Sequence, residues 1–436
     1  MKILKFGGTS VGSAERMQAL AGLISGGAPK IVVLSAMSGT TDALVEIAEA
    51  LAAGETEKAD GLTGALEQKY AEVCAKLYGT RGALGKGSAL VASHFRHLRS
   101  FTAEKFTGKE ERAVLAQGEL LSTAMFQCYL EEKNIDSVLL PALDFMRIGG
   151  NEEPDMARIE ADAAKELSRY PGKTLFITQG YICRNASGEI DNLKRGGSDY
   201  TATILGAAIR AEEIQIWTDI DGMHNNDPRF VAKTRPIAEL SFDEAAELAY
   251  FGAKILHPTC ILPAQLRNIP VRLLNTLQPE ASGTIITGRS TGDSIKAVAA
   301  KDGITAIKIK SGRMLLAYGF LRAVFEIFER NKTPIDMITT SEVAVSLTID
   351  STTRLDAIVA ELKGFCSVEV DDGQSIICVV GSFTAEKEGY ALKIFEALRN
   401  IPIRMISYGG SENNVSVLVD TKNKREALIA LNEGLF

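Results

Sequence analysis

The last third of this 436-residue chain is written twice. Pro334-Ile335-Asp336-Met337-Ile338 returns as Pro402-Ile403-Arg404-Met405-Ile406, Phe325-Glu326 as Phe395-Glu396, and Val345-Ser346 as Val415-Ser416; Asp350 matches Asp420. The offset stays between 68 and 70 residues throughout. Coincident offsets at four places point to a duplication rather than to chance likeness. Ahead of each Pro-Ile pair, apolar residues recur at i, i+3, i+4 and i+7, the spacing of a helix face. They are Leu321, Val324, Phe325 and Phe328 in the first copy, and Ala391, Ile394, Phe395 and Leu398 in the second. Each copy reads strand–helix–strand–strand–helix, a small α+β module. The expected boundaries are 1–295 for a first domain, 311–370 for the first module and 371–436 for the second. The second copy runs out after its last helix and is short of one strand. The apolar stretch Val298-Ala299-Ala300, within 295–310, is expected to supply it.

The first domain has a different rhythm. Strands are predicted at Lys2–Phe6, Lys30–Leu34, Ser137–Leu140, Thr174–Thr178 and Glu213–Trp217, alternating with helices. One helix begins at the N-cap Ser13, another covers Ala43–Leu51, and residues 52–112 read as mostly helical. Gly82–Ser88 reads as a flexible loop within that stretch, because Gly85-Lys86 is followed by Gly87 and makes no P-loop. Alternating strands and helices predict an α/β fold with a mainly parallel central sheet covered on both faces. Two α+β modules follow it.

Composition narrows the function. Hydrophobic residues at 46% and recurring apolar runs exclude a disordered chain. A net charge of −7 argues against nucleic acid as a partner. No run approaches 18 apolar residues, and no signal peptide opens the chain, so neither membrane nor export is expected. The six cysteines are scattered without a CxxC pair, which disfavours both disulfides and zinc and fits a reducing cytoplasm.

Three places can carry chemistry. Gly7-Gly8-Thr9-Ser10-Val11-Gly12 joins a strand to a helix, and backbone N–H groups at such a turn attract anions. Lys5 stands one residue before that turn in an apolar strand, and a lysine there needs an anionic partner. It reads either as a phosphate-binding lysine or as a snorkelling strand-end residue. Arg195-Gly196-Gly197-Ser198-Asp199 precedes an alanine-rich helix, and an arginine can clamp a carboxylate with two parallel hydrogen bonds. Asp199 reads either as a site residue or as an N-terminal carboxylate offsetting the helix dipole. Trp217-Thr218-Asp219 ends a strand where α/β sheets usually bind ligands. The carboxylates after it do not have EF-hand spacing, and no metal cluster is expected. A fourth segment, Phe251–Pro258, sets Lys254 among apolar residues.

Together these pieces resemble the aspartate kinases of the amino-acid kinase superfamily. The resemblance rests on Lys5-Phe6-Gly7-Gly8-Thr9-Ser10-Val11, Val33-Leu34-Ser35-Ala36, Gly118-Glu119-Leu120, Gln179-Gly180, Arg195 to Ala202, Trp217-Thr218-Asp219, Asp227-Pro228-Arg229 and Phe251 to Pro258, in that order. The duplicated third is similar to the paired ACT regulatory modules of the same family. What the resemblance implies is ATP-dependent phosphorylation of the β-carboxylate of L-aspartate to 4-phospho-L-aspartate, with Mg2+ held largely by ATP oxygens. That reaction opens lysine, threonine and methionine biosynthesis. The residue chemistry agrees: a carboxylate nucleophile with a pKa near about 4 is already ionised and needs no general base.

Carried over by matching position, Lys5 and Asp199 are catalytic. Thr41, Glu119, Arg195 and Ser198 hold aspartate, Arg195 on the α-carboxylate and Glu119 toward the amino group. Lys5, Gly7, Gly8, Thr218, Asp219, His224, Arg229 and Lys254 hold ATP. Two departures stand out: Ile190-Asp191-Asn192-Leu193-Lys194 replaces a threonine-rich stretch of the family, and His224 replaces a tyrosine near the nucleotide. Met314, Phe320, Leu321, Asp336, Ser341 and Glu342 resemble an effector pocket. Asp336 reads either as the partner of a cationic effector, favouring lysine over threonine, or as a solvated strand residue. The resemblance also implies a homodimer or higher oligomer. A catalytically inactive amino-acid sensor and a related amino-acid kinase are the alternatives.

Overall fold

The computed structural model describes residues 1–101, 103–193, 196–252, 258–289, 295–311, 318–383 and 388–436, with only the backbone of Ala103 and Pro258. They form two compact units: Met1–Met223 with Leu256–Ser290, and His224–Ile255 with Thr291–Phe436. The segment 224–255 therefore groups with the duplicated third. No helix is long and apolar enough to cross a membrane, among the described residues.

The first unit is built on strands β1 (Lys2–Phe6), β2 (Lys30–Leu34), β3 (Val138–Leu140), β4 (Leu175–Gln179), β5 (Ile214–Thr218), β6 (Val271–Asn275) and β7 (Thr284–Thr287). They lie in the order β3-β4-β2-β1-β5-β6-β7. All neighbours run parallel except β7, which is antiparallel to β6. The uninterrupted apolar run Ile31-Val32-Val33-Leu34 is fully buried, as a parallel strand covered on both faces must be. β1 and β2 match the sequence reading to the residue; β3 starts one residue later than expected, and β4 and β5 are each shifted by one residue at both ends.

Alternation along β1 sorts its side chains. Leu4 and Phe6 join a core shared with helices α1 (Ala14–Ile24), α2 (Thr40–Ala52), α3 (Thr56–Leu77), α4 (Arg81–Leu98) and α5 (Gln117–Glu132). Ile3 and Lys5 take the opposite face, which α6 (Gly197–Ala208) covers. Ser13 caps α1 as expected, its hydroxyl accepting from the Arg16 N–H at 3.3 Å.

The Gly82–Ser88 loop is not there. These residues lie inside the continuous α4. Thr80 caps the helix, and Gly87 is buried against Tyr78, where an added Cβ would stand 2.2 Å from the ring. Glycine frequency signalled a loop, but at Gly87 the glycine serves close packing.

The second unit contains β8 (Ile295–Lys310), α7 (Phe320–Arg330), β9 (Ile338–Thr340), β10 (Ala344–Ile349), α8 (Leu355–Leu362), β11 (Ser367–Gly381), α9 (Tyr390–Ala397), β12 (Ile403–Tyr408), β13 (Asn414–Asp420) and α10 (Lys424–Leu435). Its sheet runs β9-β10-β8-β11-β13-β12, antiparallel throughout. The two long central strands each serve both copies. The first half of β8 pairs with the second half of β11, from Ala297↔Val380 to Lys301↔Ile376. Its second half pairs with β10 and with the first half of β11. Gly303 (φ 74°) and Gly373 (φ 63°), 70 residues apart, take left-handed conformations near the middles of the two strands. The register of the pair breaks between Lys301 and Ala306. One core gathers Ile307, Val324, Leu347 and Ile358; the other gathers Val298, Ile377, Ile394, Val417 and Leu428.

Candidate active site

The parallel strands of the first unit end along one edge of their sheet. β1 is the switch point, with β2 reached on one side and β5 on the other, and ligands collect in the crevice outside such a reversal. Gly7-Gly8 follows β1, Ser35-Ala36 follows β2, Gly180 follows β4 and Asp219 follows β5. Register sets Phe6 beside both Leu34 and Trp217, and the Phe6 and Trp217 rings stack at 5.6 Å. Thr218 is thereby carried to the same edge as the Gly7-Gly8 turn.

Lys5 finds its anion on the helix that covers its face. Its Nζ lies 2.6 Å from Oδ1 of Asp199, in the first turn of α6, and only 12% and 14% of the two side chains are exposed. A buried ammonium needs such a partner. The Lys5 ammonium also lies beside Gly7, 3.5 Å from where a Cβ would be.

The turn itself is short of room for side chains. A Cβ on Gly8 would sit 2.9 Å from the Ala36 carbonyl oxygen, and the Gly8 carbonyl accepts from the Ser38 N–H at 3.1 Å. Gly180 and Gly197 are equally confined, by Ser198 and Tyr181. Gly196 turns the chain into α6 with φ 76°. Small residues bring four backbone segments together, and the space they leave is a cavity of about 510 Å³. Gly8, Ser35–Gly39, Thr41, Asp42, Glu119, Tyr181 and Gly196–Ser198 line it.

Glu119 is its buried charge. Gly118 lets α5 approach the 35–38 segment, since a Cβ there would meet Ala36 Cβ at 2.8 Å. Glu119 is 4% exposed, and its Oε1 accepts from the Ala36 N–H at 3.1 Å. Its Oε2 is buried with no hydrogen-bond partner among the described residues. Burial pushes its pKa up to about 7, with the Ala36 N–H pulling the other way. A buried carboxylate oxygen without a donor fits an incoming ammonium group.

The helices behind the cavity fix its walls. Thr40 and Tyr70 share a buried hydroxyl–hydroxyl bond at 2.9 Å, and Lys69 donates to the Ser38 carbonyl at 2.7 Å. Gln179 donates to Thr123 at 2.8 Å and accepts from the Ala142 N–H at 2.7 Å. Tyr181 is a wall the sequence did not disclose. Its φ of 66° is unusual for a tyrosine, its N–H donates to Thr201, and burial with the Glu119 charge pushes its hydroxyl up to about 12. The departure at 190–194 also takes form here. Ile190–Asn192 pairs with Ile182–Arg184 as a short hairpin beyond Tyr181.

The structure thus brings Lys5, Gly7, Gly8, Thr41, Glu119, Ser198 and Asp199 into one neighbourhood, with Thr218 and Asp219 on the adjoining strand end. His224 and Arg229 belong to the second unit. There His224 Nδ1 bonds the Thr234 hydroxyl at 2.8 Å, and Arg229 grips Asp227 through Nε and Nη2. Arg195, Lys254 and Met314 lie outside the described residues.

The effector candidates fall on several elements of the second unit. Phe320 packs edge-on against Phe365, Leu321 is exposed, and Ser341 and Glu342 form the turn between β9 and β10. Asp336 is not a solvated strand residue. Its side chain is 2% exposed, and its Oδ1 takes the Lys301 ammonium at 2.8 Å and the Tyr250 hydroxyl at 2.7 Å.

Residues 1–275 match the model of the amino acid kinase family, and residues 377–435 match that of an ACT domain. The chain belongs to the amino acid kinase family. It is 35% identical over 457 residues to the lysine-sensitive aspartokinase 3 of Escherichia coli, covering 100% of this chain and 99% of the relative. It is also 35% identical over 468 residues to the chloroplastic aspartokinase 3 of Arabidopsis thaliana, covering 100% and 81%. The crystal structure of E. coli aspartokinase III in complex with aspartate and ADP (R-state) aligns with a TM-score of 0.83 at 32% identity, over 100% of both chains. The complex of the same enzyme with lysine and aspartate (T-state) aligns at 0.82 and 33%, over 100% and 99%. Within the family, then, the chain falls among the aspartokinases.

Proposed function

We propose that this chain transfers the terminal phosphoryl group of ATP to the β-carboxylate of L-aspartate. The observation that carries the reading is the Lys5–Asp199 ion pair beside the Gly7-Gly8 turn, next to a cavity holding a Glu119 oxygen that has no partner among the described residues. One wall offers positive charge and backbone N–H groups to phosphate; another offers a carboxylate to an ammonium.

Aspartate enters with its amino group on Glu119 and its α-carboxylate on Arg195. Thr41 and Ser198 border its place, and the β-carboxylate is left facing the nucleotide. No base is needed, because that carboxylate is ionised. One of its oxygens attacks the γ-phosphorus, the bond to the β,γ-bridging oxygen breaks, and ADP leaves. Catalysis is then alignment and charge neutralisation. Lys5 supplies the charge at the phosphoryl group in transit, and Asp199 keeps its ammonium aimed. Gly7 and Gly8 give the phosphates backbone contact, with Thr218 and Asp219 toward the rest of the nucleotide. Mg2+ would come with ATP, largely on its phosphate oxygens, and would help neutralise their charge. Among the described residues no three His, Cys, Asp or Glu side chains cluster as metal ligands.

Feedback by lysine through the first ACT copy belongs to the same reading. Asp336 has a buried oxygen without a partner among the described residues, and the E. coli relative is lysine-sensitive. We read the working form as a cytoplasmic homodimer or higher oligomer. An inactive sensor is disfavoured by the intact Lys5, Glu119 and Asp199.

A hydroxamate assay with aspartate and ATP tests the reaction, repeated with lysine, threonine and methionine to test regulation. Lys5→Ala is expected to lose at least about 10²-fold in kcat, the scale of one transition-state donor. Near-normal turnover in that variant removes Lys5 from the mechanism.

A further inference from the structure

The second unit contains a finished site for a primary ammonium group, and the chain fills it itself. Lys301, at the break in β8, places Nζ 2.8 Å from Asp336 Oδ1 and 2.9 Å from Asp350 Oδ2. The same ammonium stands 4.5 Å over the ring of Tyr250, whose hydroxyl donates to Asp336 Oδ1 at 2.7 Å. Two carboxylates and an aromatic face are the groups that recognise an alkylammonium ion.

The site has capacity left over. Asp336 Oδ2 is buried and has no hydrogen-bond partner among the described residues. The occupant also has a way out, because Lys301 is 20% exposed and lies against the more open Asp350.

The duplication supplies an independent comparison. Asp336 corresponds to Arg404, and 70 residues beyond Lys301 stands Asp371. Asp371 and Arg404 form their own pair, at 3.8 Å. The second copy therefore has the same two positions with the charges exchanged. An arginine cannot accept an ammonium group, so the second copy has no acceptor at the position that Asp336 holds in the first.

We propose that Lys301 is the resident occupant of this ammonium site, and that a cationic amino-acid effector acts by displacing it from Asp336. The inference rests on the effector reading given above. Displacement removes the cation from the Tyr250 ring and gives the Tyr250 hydroxyl's acceptor a new partner. Tyr250 ends the helix Phe242–Tyr250, four residues before Lys254. Lys301 also sets the effector threshold, because every effector molecule must compete with a tethered ammonium.

Calorimetric titration of the full chain with L-lysine tests this. Lys301→Met removes the competitor at similar length and is expected to tighten lysine binding about tenfold, within the usual range of coupled sites. Lys301→Arg holds Asp336 and Asp350 more firmly and is expected to weaken binding by a similar factor. If Lys301→Met does not fold, Lys301→Arg decides, and unchanged affinity there overturns displacement. Lysine binding by the wild type with no tightening in a folded Lys301→Met also overturns it, while the effector reading stands. No lysine binding by any of the three proteins overturns both.

Discussion

Glu119 has one oxygen held by the Ala36 N–H and the other without a donor among the described residues, in a place where burial pushes its pKa up to about 7. Its ordinary value is 4.5, so the folded chain binds a proton there that the unfolded chain gives up between those values. This group therefore favours folding most below about 4.5, opposes it increasingly as pH rises toward 7, and has a constant effect above. Aspartate reverses the local preference, since its ammonium favours the ionised form. Below pH 7 the ligand must drive deprotonation. The aspartate KM is accordingly expected to rise as pH falls from 8 to 6, by up to about tenfold per unit at the acid end. Glu119→Gln should raise KM and flatten that profile. A wild-type KM independent of pH would mean that Glu119 does not meet the amino group. Much of this site was legible at the residue scale. A lysine in a buried strand demanded an anion, and Asp199 is that anion. What could not be read was the pairing itself, because it follows from which face of β1 receives α6. Tyr181 was out of reach as well: only its backbone conformation places it on the wall, and no residue-type signal marks it.

Elements were legible where one force dominated. β1 and β2 are apolar runs with sharp ends, and they match to the residue. α4 was not, because its glycines signal opposite things. Gly85 is exposed with open space around it, so its backbone entropy is uncompensated. Gly85→Ala is expected to stabilise the protein by about 1 kcal/mol. Gly87→Ala should destabilise it by about 1–3 kcal/mol, since its Cβ would enter the Tyr78 ring. Thermal unfolding of the two variants decides, and shifts of the same sign would contradict the packing account. Gly118, Gly180 and Gly197 follow the second pattern, which is why the cavity floor is built of backbone.

On the scale of the whole molecule, the repeat announced two modules, and two cores exist. The strand arrangement was only partly readable. β8 was expected to help the second copy, yet it also runs through the first, and β11 does the same in the other direction. Hydrophobic pattern shows that a strand is buried; it does not show that one strand is long enough to be buried twice. The grouping of 224–255 with the duplicated third was equally hidden, since it depends on contacts across the sequence. Val298 tests this architecture. It precedes both copies in sequence but lies in the second core, 3% exposed. Val298→Asp buries a charge there, at a cost of several kcal/mol. Hydrogen exchange is expected to rise across Tyr390–Ala397 and Lys424–Leu435. A rise confined to Ala344–Leu362 would refute the assignment.

The crossed strands also decide where this chain can be divided. A break at the boundary between the copies, after Val370, separates Ile295–Lys301 from its partner strand and leaves it as an open edge on one fragment. The other fragment loses Val298 from its core. The duplicates have become a single inheritance: they can diverge in charge, as Asp336 and Arg404 have, but cannot be shuffled, excised or transplanted one at a time.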